Sequence, residues 1–200
     1  MKSQKTIEYS KEFVNTSREM IVNRIKDELS PSRYAHVLRV EETAIELATR
    51  YDENIEKASI AALLHDYAKE KSNSFMKDTI INQNLDLDML DYGNSIWHGP
   101  VGSILAKKEF YIEDEDILNA IFYHTFGRTK MSKLEKIIFV ADYIEPKRNF
   151  KEAKKARKKA KESLDLATAY IIKKTLINLV DNNKKVFPKA VETYNESLTY

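Results

Sequence analysis

Apolar positions along this chain repeat mostly at the three- and four-residue spacing that is typical of amphipathic helices. One such segment begins at Pro31 and continues to about Arg50, with His36 on its apolar side. The same spacing is found from about Asp114 to Thr125 and from Leu164 to Val180. The pattern therefore predicts a chain that is folded almost entirely into helices.

The segment from Ile55 to Lys69 differs from the others because its run Ile-Ala-Ala-Leu-Leu leaves no polar face. A helix that is apolar on all sides is normally buried, so this segment is predicted to be the central helix. Its apolar run leads directly into His65 and Asp66. Because burial of a charged group is costly unless a partner compensates it, we expect both side chains to have partners on neighbouring helices.

Composition supports an all-α fold and restricts the chemistry of any metal site. The chain has 200 residues with only 4 Gly, 4 Pro and no Cys, so turns are scarce and a metal must be held by His, Asp, Glu, carbonyls or water. We expect residues 1–17 to form an N-terminal arm or short helix and residues 18–200 to form one domain. No apolar run approaches the ~18 residues of a membrane span, so we expect a cytoplasmic protein without a membrane partner.

The basic character of the chain is local. Its net charge is +2, whereas residues 151–161 (KEAKKARKKAK) carry seven basic side chains and one acidic one, so the remainder has a net charge of 2 − 6 = −4. This run lacks the interleaved aromatic residues of a single-strand-binding surface. We therefore interpret it as the solvated face of a helix and do not expect nucleic acid as a partner.

Six residues that can bind metal lie at the ends or inward faces of predicted helices. A single histidine in such a position is more often a satisfied core residue than a ligand, and hydrogen-bonded His–Asp pairs are the alternative interpretation. One or two divalent cations would compensate all of these buried groups in one place. Iron, manganese, cobalt or zinc would suit so many imidazoles better than magnesium. The six residues are all four histidines of the chain, His36, His65, His98 and His124, with Asp66 and Asp142.

Three cationic side chains close to these positions are candidate phosphate contacts. Lys69 is predicted to share the helix face of His65, although a solvated lysine favoured by the helix dipole is the alternative. Arg128 and Arg148 follow a candidate histidine and a candidate aspartate in the same way. Tyr143 is interpreted as a packing residue. The aromatic residues that could stack on a nucleobase are Tyr67, Trp97, Tyr123 and Phe126.

The order of the candidate ligands resembles the H…HD…D signature of the HD-domain metal-dependent phosphohydrolases. In this chain that signature consists of His36, the pair His65-Asp66, and Asp142. The segments WHGPVGS (97–103) and YHTFGRTKMSKLEKIIFVADYIEPKR (123–148) are more specific. Together they resemble the YqeK-type branch of this family, the symmetrical diadenosine tetraphosphate hydrolases, from about residue 18 to the C-terminus.

The resemblance implies an all-α HD-domain helical bundle with a metal site between core helices, commonly holding iron. It also implies hydrolysis of a dinucleoside tetraphosphate, such as diadenosine tetraphosphate, into two nucleoside diphosphates. His36, His65, Asp66 and Asp142 would then hold one ion, and His98 and His124 a second ion with Asp66 between them. The residues expected to be catalytic are Asp66, Lys69, His98 and His124, and those expected to bind substrate are Lys69, Thr125, Arg128 and Arg148.

We expect a metal-bound hydroxide to attack an inner phosphorus, because a divalent ion lowers the pKa of its water from about 15.7 towards ~7. If only one ion binds, His98 or His124 is available as a proton donor or phosphate ligand. Two alternatives to this function stay open. They are a nucleotide phosphomonoesterase, or di-iron oxygenase, on the same type of scaffold, and a non-catalytic nucleotide- or RNA-binding module. A homodimer is compatible with each of these functions.

Overall fold

A computed structural model describes residues 7–198, and within this range the chain forms ten α-helices, one 3-10 helix and no strand. The prediction of an all-α fold is therefore confirmed for the described residues. The 3-10 helix is Leu87–Asp91. The α-helices are α1 Arg18–Glu28, α2 Pro31–Arg50, α3 Ile55–Leu64, α4 Asn73–Asn82, α5 Asn94–Phe110, α6 Glu115–Tyr123, α7 Lys133–Ile144, α8 Lys151–Glu162, α9 Leu164–Asp181 and α10 Pro188–Glu196.

Most helices begin where the sequence supplies a capping side chain. A side-chain oxygen at the N-cap accepts a hydrogen bond from a backbone N–H of the first turn, which would otherwise lack a partner. Pro31 and Pro188 occupy the first positions of α2 and α10, where the missing N–H of proline costs no helical hydrogen bond. The N-cap residues that accept such bonds are Ser17, Ser30, Asn54, Ser72, Asp114, Ser132 and Ser163.

Helix α3 lies at the centre of the bundle and contacts α1, α2, α5, α6 and α7. Its residues from Ala58 to Leu64 have no measurable solvent exposure, as expected for a segment that is apolar on all sides. Helices α8 and α9 pack on α7, and α10 packs on α9. The inward faces of α2, α5, α6 and α7 therefore meet near the carboxyl end of α3.

Two predicted helix boundaries were wrong. Helix α3 ends at Leu64 rather than Lys69, and residues 65–70 form successive turns. Lys69 consequently does not share a helix face with His65. The segment Trp97-His98-Gly99-Pro100 predicts a helix with Pro100 near its first turn and His98 at or next to its N-terminus. Helix α5 instead begins at Asn94, so Pro100 lies inside it and His98 is one turn beyond its start. A proline inside a helix cannot donate to the preceding turn, which made the sequence look like a helix start.

The described part of the predicted N-terminal arm packs against the bundle. The hydroxyl of Tyr9 is 2.7 Å from Ser59 Oγ on α3, and the side chain of Val14 is buried. Residues 1–6 of this arm lie outside the described residues. The division of the chain at residue 18 stays a prediction.

The lysine-rich run forms α8 and is amphipathic. Ala153, Ala156 and Ala160 are buried, while most of the lysines face solvent. Arg157 is an exception, since its guanidinium donates to the carbonyl oxygens of Ile144, Glu145 and Arg148 at 2.5–2.9 Å. Helix α8 therefore fixes the segment that follows α7. Across the described range, no helix is both long and apolar enough to cross a bilayer.

Candidate metal centre

Six side chains from five elements of the bundle converge on one point. His36 comes from α2, His98 from α5 and Asp142 from α7, while His124 caps the end of α6. His65 and Asp66 lie immediately beyond α3, where the chain leaves the helix. All six predicted metal ligands are thus brought together: His36, His65, Asp66, His98, His124 and Asp142.

Asp66 is the centre of this cluster, because its two oxygens face two pairs of histidines. Oδ1 is 3.2 Å from Nε2 of His98 and 3.9 Å from Nε2 of His124. Oδ2 is 3.6 Å from Nε2 of His36 and 3.5 Å from Nε2 of His65. The carboxylate therefore lies between two half-sites, as it would if it bridged two ions.

Three overlapping groups in the cluster have ligand atoms within 4.8 Å of one another. They share members, so the cluster can hold one ion or two neighbouring ions. The groups are His36, His65 and Asp66; His65, His124 and Asp142; and Asp66, His98 and His124.

The orientation of the histidine rings is set by their Nδ1 atoms. Since a backbone carbonyl only accepts hydrogen bonds, three of the rings carry their hydrogen on Nδ1 and present the lone pair of Nε2 to the centre. His36 is oriented differently, with Nδ1 3.3 Å from Glu145 Oε1. The carbonyl pairs are His65 with Ala62 at 2.6 Å, His98 with Asn94 at 2.6 Å, and His124 with Ile121 at 2.7 Å.

This donor set fits a divalent cation. Nε2 of His65 is buried and has no hydrogen-bond partner. Nε2 of His98 lies 3.1 Å from Nε2 of His124, so two lone pairs face each other when both rings are protonated on Nδ1. A buried acceptor without a partner costs free energy, and two such acceptors at this distance repel. Divalent cations bound by these Nε2 atoms would give His65 a partner and would remove the repulsion between His98 and His124.

The charge states of the cluster suit metal binding. Burial and the neighbouring His98 and His65 together lower the pKa of His124 to about 3, so this imidazole is neutral. Burial alone would raise the pKa of Asp66, but the neighbouring imidazoles of His65 and His98 hold it well below its usual value. The pKa of Asp142 is likewise lowered, with burial opposed by the hydrogen bond from His36. Two ionised carboxylates therefore lie beside the neutral imidazole of His124.

A cavity of about 320 Å³ opens over the cluster and is rimmed by cations and hydroxyls. The predicted substrate residues Lys69, Thr125 and Arg148 all line it. Lys69 Nζ is 3.3 Å from His98 Nδ1. The hydroxyl of Thr125 is buried without a partner. Positive charge and a free hydroxyl beside the metal ligands can hold an anion such as a polyphosphate.

Arg128, the fourth predicted substrate residue, lies apart from this cavity. Its Nε is 3.0 Å from both carboxylate oxygens of Glu135, and its guanidinium stacks 4.8 Å from the ring centre of Tyr123. Glu135 is buried and needs a counter-charge, which Arg128 supplies. The structure gives no support to a phosphate contact by Arg128.

The aromatic residues expected near a nucleobase are largely part of the core. Tyr67, Trp97 and Phe126 are at most 4% exposed. The hydroxyl of Tyr67 donates to Glu109 at 2.8 Å, and Arg128 covers the ring of Tyr123. Tyr67, Trp97 and Phe126 therefore offer no accessible face to a base.

Sequence reasoning missed three residues of the site. Arg33 lines the cavity, and its Nη1 donates to Asp66 Oδ2 at 2.8 Å. Glu145 accepts from Arg39 Nε at 2.6 Å while it faces His36. Ser95 also lines the cavity. Arg33 lies three residues before His36, and Glu145 lies three residues after Asp142, so helical spacing from the candidate ligands could have identified both.

Glu145 and Arg39 form a second layer behind His36. Burial raises the pKa of Glu145, but the hydrogen bonds from Arg39, the backbone N–H of Lys147 and His36 together lower it to about 2, so this group is a carboxylate. A carboxylate on Nδ1 of a metal-binding histidine fixes the ring and increases its basicity. Glu145 is therefore placed to orient His36.

The family model described as "HD domain" matches residues 33–147, the segment that contains all six clustered residues. A Bacillus subtilis (strain 168) protein named symmetrical bis(5'-nucleosyl)-tetraphosphatase is 44% identical over 179 residues, covering 90% of this chain and 96% of that protein. A Staphylococcus aureus protein of the same name is 41% identical and covers 85% of this chain and 89% of its own length.

A solved structure from Clostridium acetobutylicum is also similar to this chain. It is described as a predicted HD superfamily hydrolase involved in NAD metabolism. The two chains are 39% identical and superpose with a TM-score of 0.88, covering 92% of this chain and 98% of the other. The similarity therefore extends over the C-terminal helices as well as the metal-binding segment.

Proposed function

This chain belongs to the HD domain family, and on that premise we propose that it hydrolyses dinucleoside tetraphosphates, diadenosine tetraphosphate giving two molecules of ADP. The observation that carries the proposal is the convergence of four histidines and two aspartates in a cavity rimmed by Arg33, Lys69 and Arg148. The names of the relatives in Bacillus subtilis and Staphylococcus aureus support the choice of substrate.

The metal ligands would be divided about Asp66. His36, His65 and Asp142 would hold one ion together with Asp66, and His98 and His124 would hold a second. A bound divalent ion supplies an acidified water as nucleophile and polarises a phosphoryl oxygen. Iron is the ion that we propose, with manganese, cobalt and zinc as alternatives, because imidazole ligands suit these metals.

The residues around the ligands would bind and orient the polyphosphate. Lys69 and Arg148 would pair with its negative oxygens, and the unpartnered hydroxyl of Thr125 would donate to one of them. Arg33 is near Asp66 and could contact the phosphate next to the cleaved bond. Fixed cations of this kind stabilise the charge that builds on a departing nucleoside diphosphate.

The site also limits which groups act as acids or bases. The pKa of His124 is held at about 3, so this ring is an electron-pair donor and does not deliver protons near neutral pH. Burial lowers the pKa of Lys69, and Asp66 opposes that effect. Because Lys69 lines the cavity beside His98, we assign it to charge stabilisation. A homodimer and a cytoplasmic location stay predictions.

The test is to remove and restore the metal. Protein stripped with a chelator should hydrolyse diadenosine tetraphosphate negligibly, and anaerobic addition of Fe²⁺, or of Mn²⁺, Co²⁺ or Zn²⁺, should restore the activity. Metal content should be measured on the same samples, with His65→Ala as a ligand variant and the exposed Lys173→Ala as its control. Full activity of the metal-free protein, or of His65→Ala, would reject the proposal.

A further inference from the structure

A second and larger opening lies directly beside the metal cavity. It has a volume of about 620 Å³ and is formed by the end of α7, the start of α8 and one face of α9. Tyr143 and Thr175 line both openings. The two spaces are therefore adjacent parts of one surface, and we call the second one the α8–α9 groove. The groove residues used below are Tyr143, Phe150, Glu152, Lys174, Thr175 and Asn178.

The groove exposes an aromatic pair. Phe150 is 42% exposed, and its ring lies 5.2 Å from that of Tyr143 at an angle of 88°. Phe150 occupies the N-cap of α8, where it contributes no capping hydrogen bond. Tyr67, Trp97 and Phe126 are buried, whereas Tyr143 is half-buried and Phe150 is exposed, so this pair is accessible to a ligand. Accessible rings beside a phosphate site are suited to stacking on a nucleobase.

The polar groups of the groove complement the rest of a nucleoside. Lys174 lines the groove and supplies a cation there, next in the chain to Thr175, which also lines the metal cavity. Glu152 and Asn178 supply acceptors for ribose hydroxyls or for a base amino group. Burial raises the pKa of Tyr143 to about 12, so its phenol keeps its proton and can donate. The volume is in the usual range of about 300–1,000 Å³ for small-molecule sites.

We propose that the α8–α9 groove binds one nucleoside of the dinucleotide, with its base on the Tyr143–Phe150 pair and Lys174 near its ribose or first phosphate. The inference rests on the proposed function, since cleavage at the centre of a tetraphosphate leaves a nucleoside on each side of the metal cavity. All of the named groove residues except Tyr143 lie beyond residue 147, where the match to the HD domain ends. The C-terminal helices would thus select the nucleoside, while the matched segment supplies the metal ligands.

A binding experiment tests the groove without any turnover. The metal-loaded full chain is irradiated with 8-azidoadenosine 5'-diphosphate, and the labelled peptides are identified by mass spectrometry. We expect label within residues 143–152 or 174–181 and competition by ADP. Label confined to peptides outside these two ranges would overturn the proposal.

This readout separates the two inferences. If the groove is labelled but diadenosine tetraphosphate is not hydrolysed, the proposed reaction fails and the nucleoside site stands. If the tetraphosphate is hydrolysed but the groove is not labelled, the nucleoside site fails and the reaction stands.

Substitutions then measure what the groove contributes. Phe150→Ala should lower kcat/KM for diadenosine tetraphosphate about tenfold, in the range expected for loss of one stacked base, and Lys174→Ala should lower it by a smaller factor. Phe75→Ala, at a residue of similar exposure, and Lys173→Ala are the matched controls. Affinity for inorganic pyrophosphate should be unchanged in Phe150→Ala and in both controls. A change of less than twofold in Phe150→Ala, or an equal loss of pyrophosphate affinity, would overturn the proposal.

Discussion

The metal cavity and the α8–α9 groove share Tyr143 and Thr175, yet they are built in opposite ways. In the metal cavity five of the six clustered side chains are at most 6% exposed, and each histidine ring is held by a hydrogen bond at Nδ1. In the groove the side chains are half-buried or exposed, and the polar ones have few fixed partners. A centre that must place charges accurately is rigid and buried, whereas a surface that receives a flat base can remain open.

This comparison predicts that the same kind of substitution has very different consequences in the two regions.

The largest effect should come from Asp66, which lies between both pairs of histidines. Asp66→Asn keeps the side-chain volume but removes the charge shared by the two half-sites. We expect kcat/KM to fall by about 1000-fold, since the metal contributes several kcal/mol to the transition state. Steady-state kinetics and metal analysis would check this, with the exposed Asp88→Asn as the control. Retention of more than a tenth of the wild-type activity would contradict it.

The next largest effect concerns the residue behind His36. Glu145→Gln keeps the contact with Nδ1 but removes the negative charge, so metal affinity should fall by about 10–100-fold. Competition with a fluorescent chelator would measure this directly. Activity at saturating metal should largely recover in Glu145→Gln, because Glu145 contacts no substrate. An unchanged metal affinity would show that Glu145 does not orient His36.

Two arginines provide a matched pair that separates a cavity role from a structural one. Arg148→Met should lower kcat/KM by about tenfold with little loss of stability, since Arg148 lines the cavity and is partly exposed. Arg128→Met should instead reduce the free energy of unfolding by about 2–3 kcal/mol, because it leaves the buried Glu135 without its counter-charge. Urea denaturation and kinetics on the folded variants would check both. The reverse pattern would restore Arg128 as a substrate residue.

The smallest effect should come from the lysine-rich helix. Replacing Lys154, Lys155 and Lys158 together by Gln removes three exposed charges from α8 and leaves its buried alanines in place. We expect kcat/KM to change by no more than about twofold at physiological ionic strength, where charges beyond about 8 Å are screened. A larger loss that depends on salt would show that α8 attracts the polyphosphate.

The metal centre could be predicted from the sequence because its polar, ionisable residues occur in or next to apolar segments that are expected to be buried. His65 and Asp66 follow an apolar run, and neither belongs in a buried position without a partner. The exact end of α3 could not be predicted, since the residues after Leu64 include good helix formers. The chain leaves the helix there as Asp66 turns towards histidines from three other helices, and only tertiary contacts decide that.

The groove could not be predicted for the opposite reason. Tyr143 and Phe150 are ordinary core residue types, and nothing in their spacing distinguishes an exposed pair from a buried one. Arg128 and Arg148 were both candidate phosphate contacts in the sequence. The structure separates them because α7 buries Glu135, and the nearest guanidinium compensates that charge.

The central claim is that the buried cluster cleaves a dinucleoside tetraphosphate at its midpoint. The most direct measurement is chromatographic separation of the products formed from diadenosine tetraphosphate by the metal-loaded protein at low conversion. We predict ADP as the nucleotide product, with two molecules formed for each substrate consumed. Equal amounts of ATP and AMP, or release of inorganic phosphate, would contradict the account.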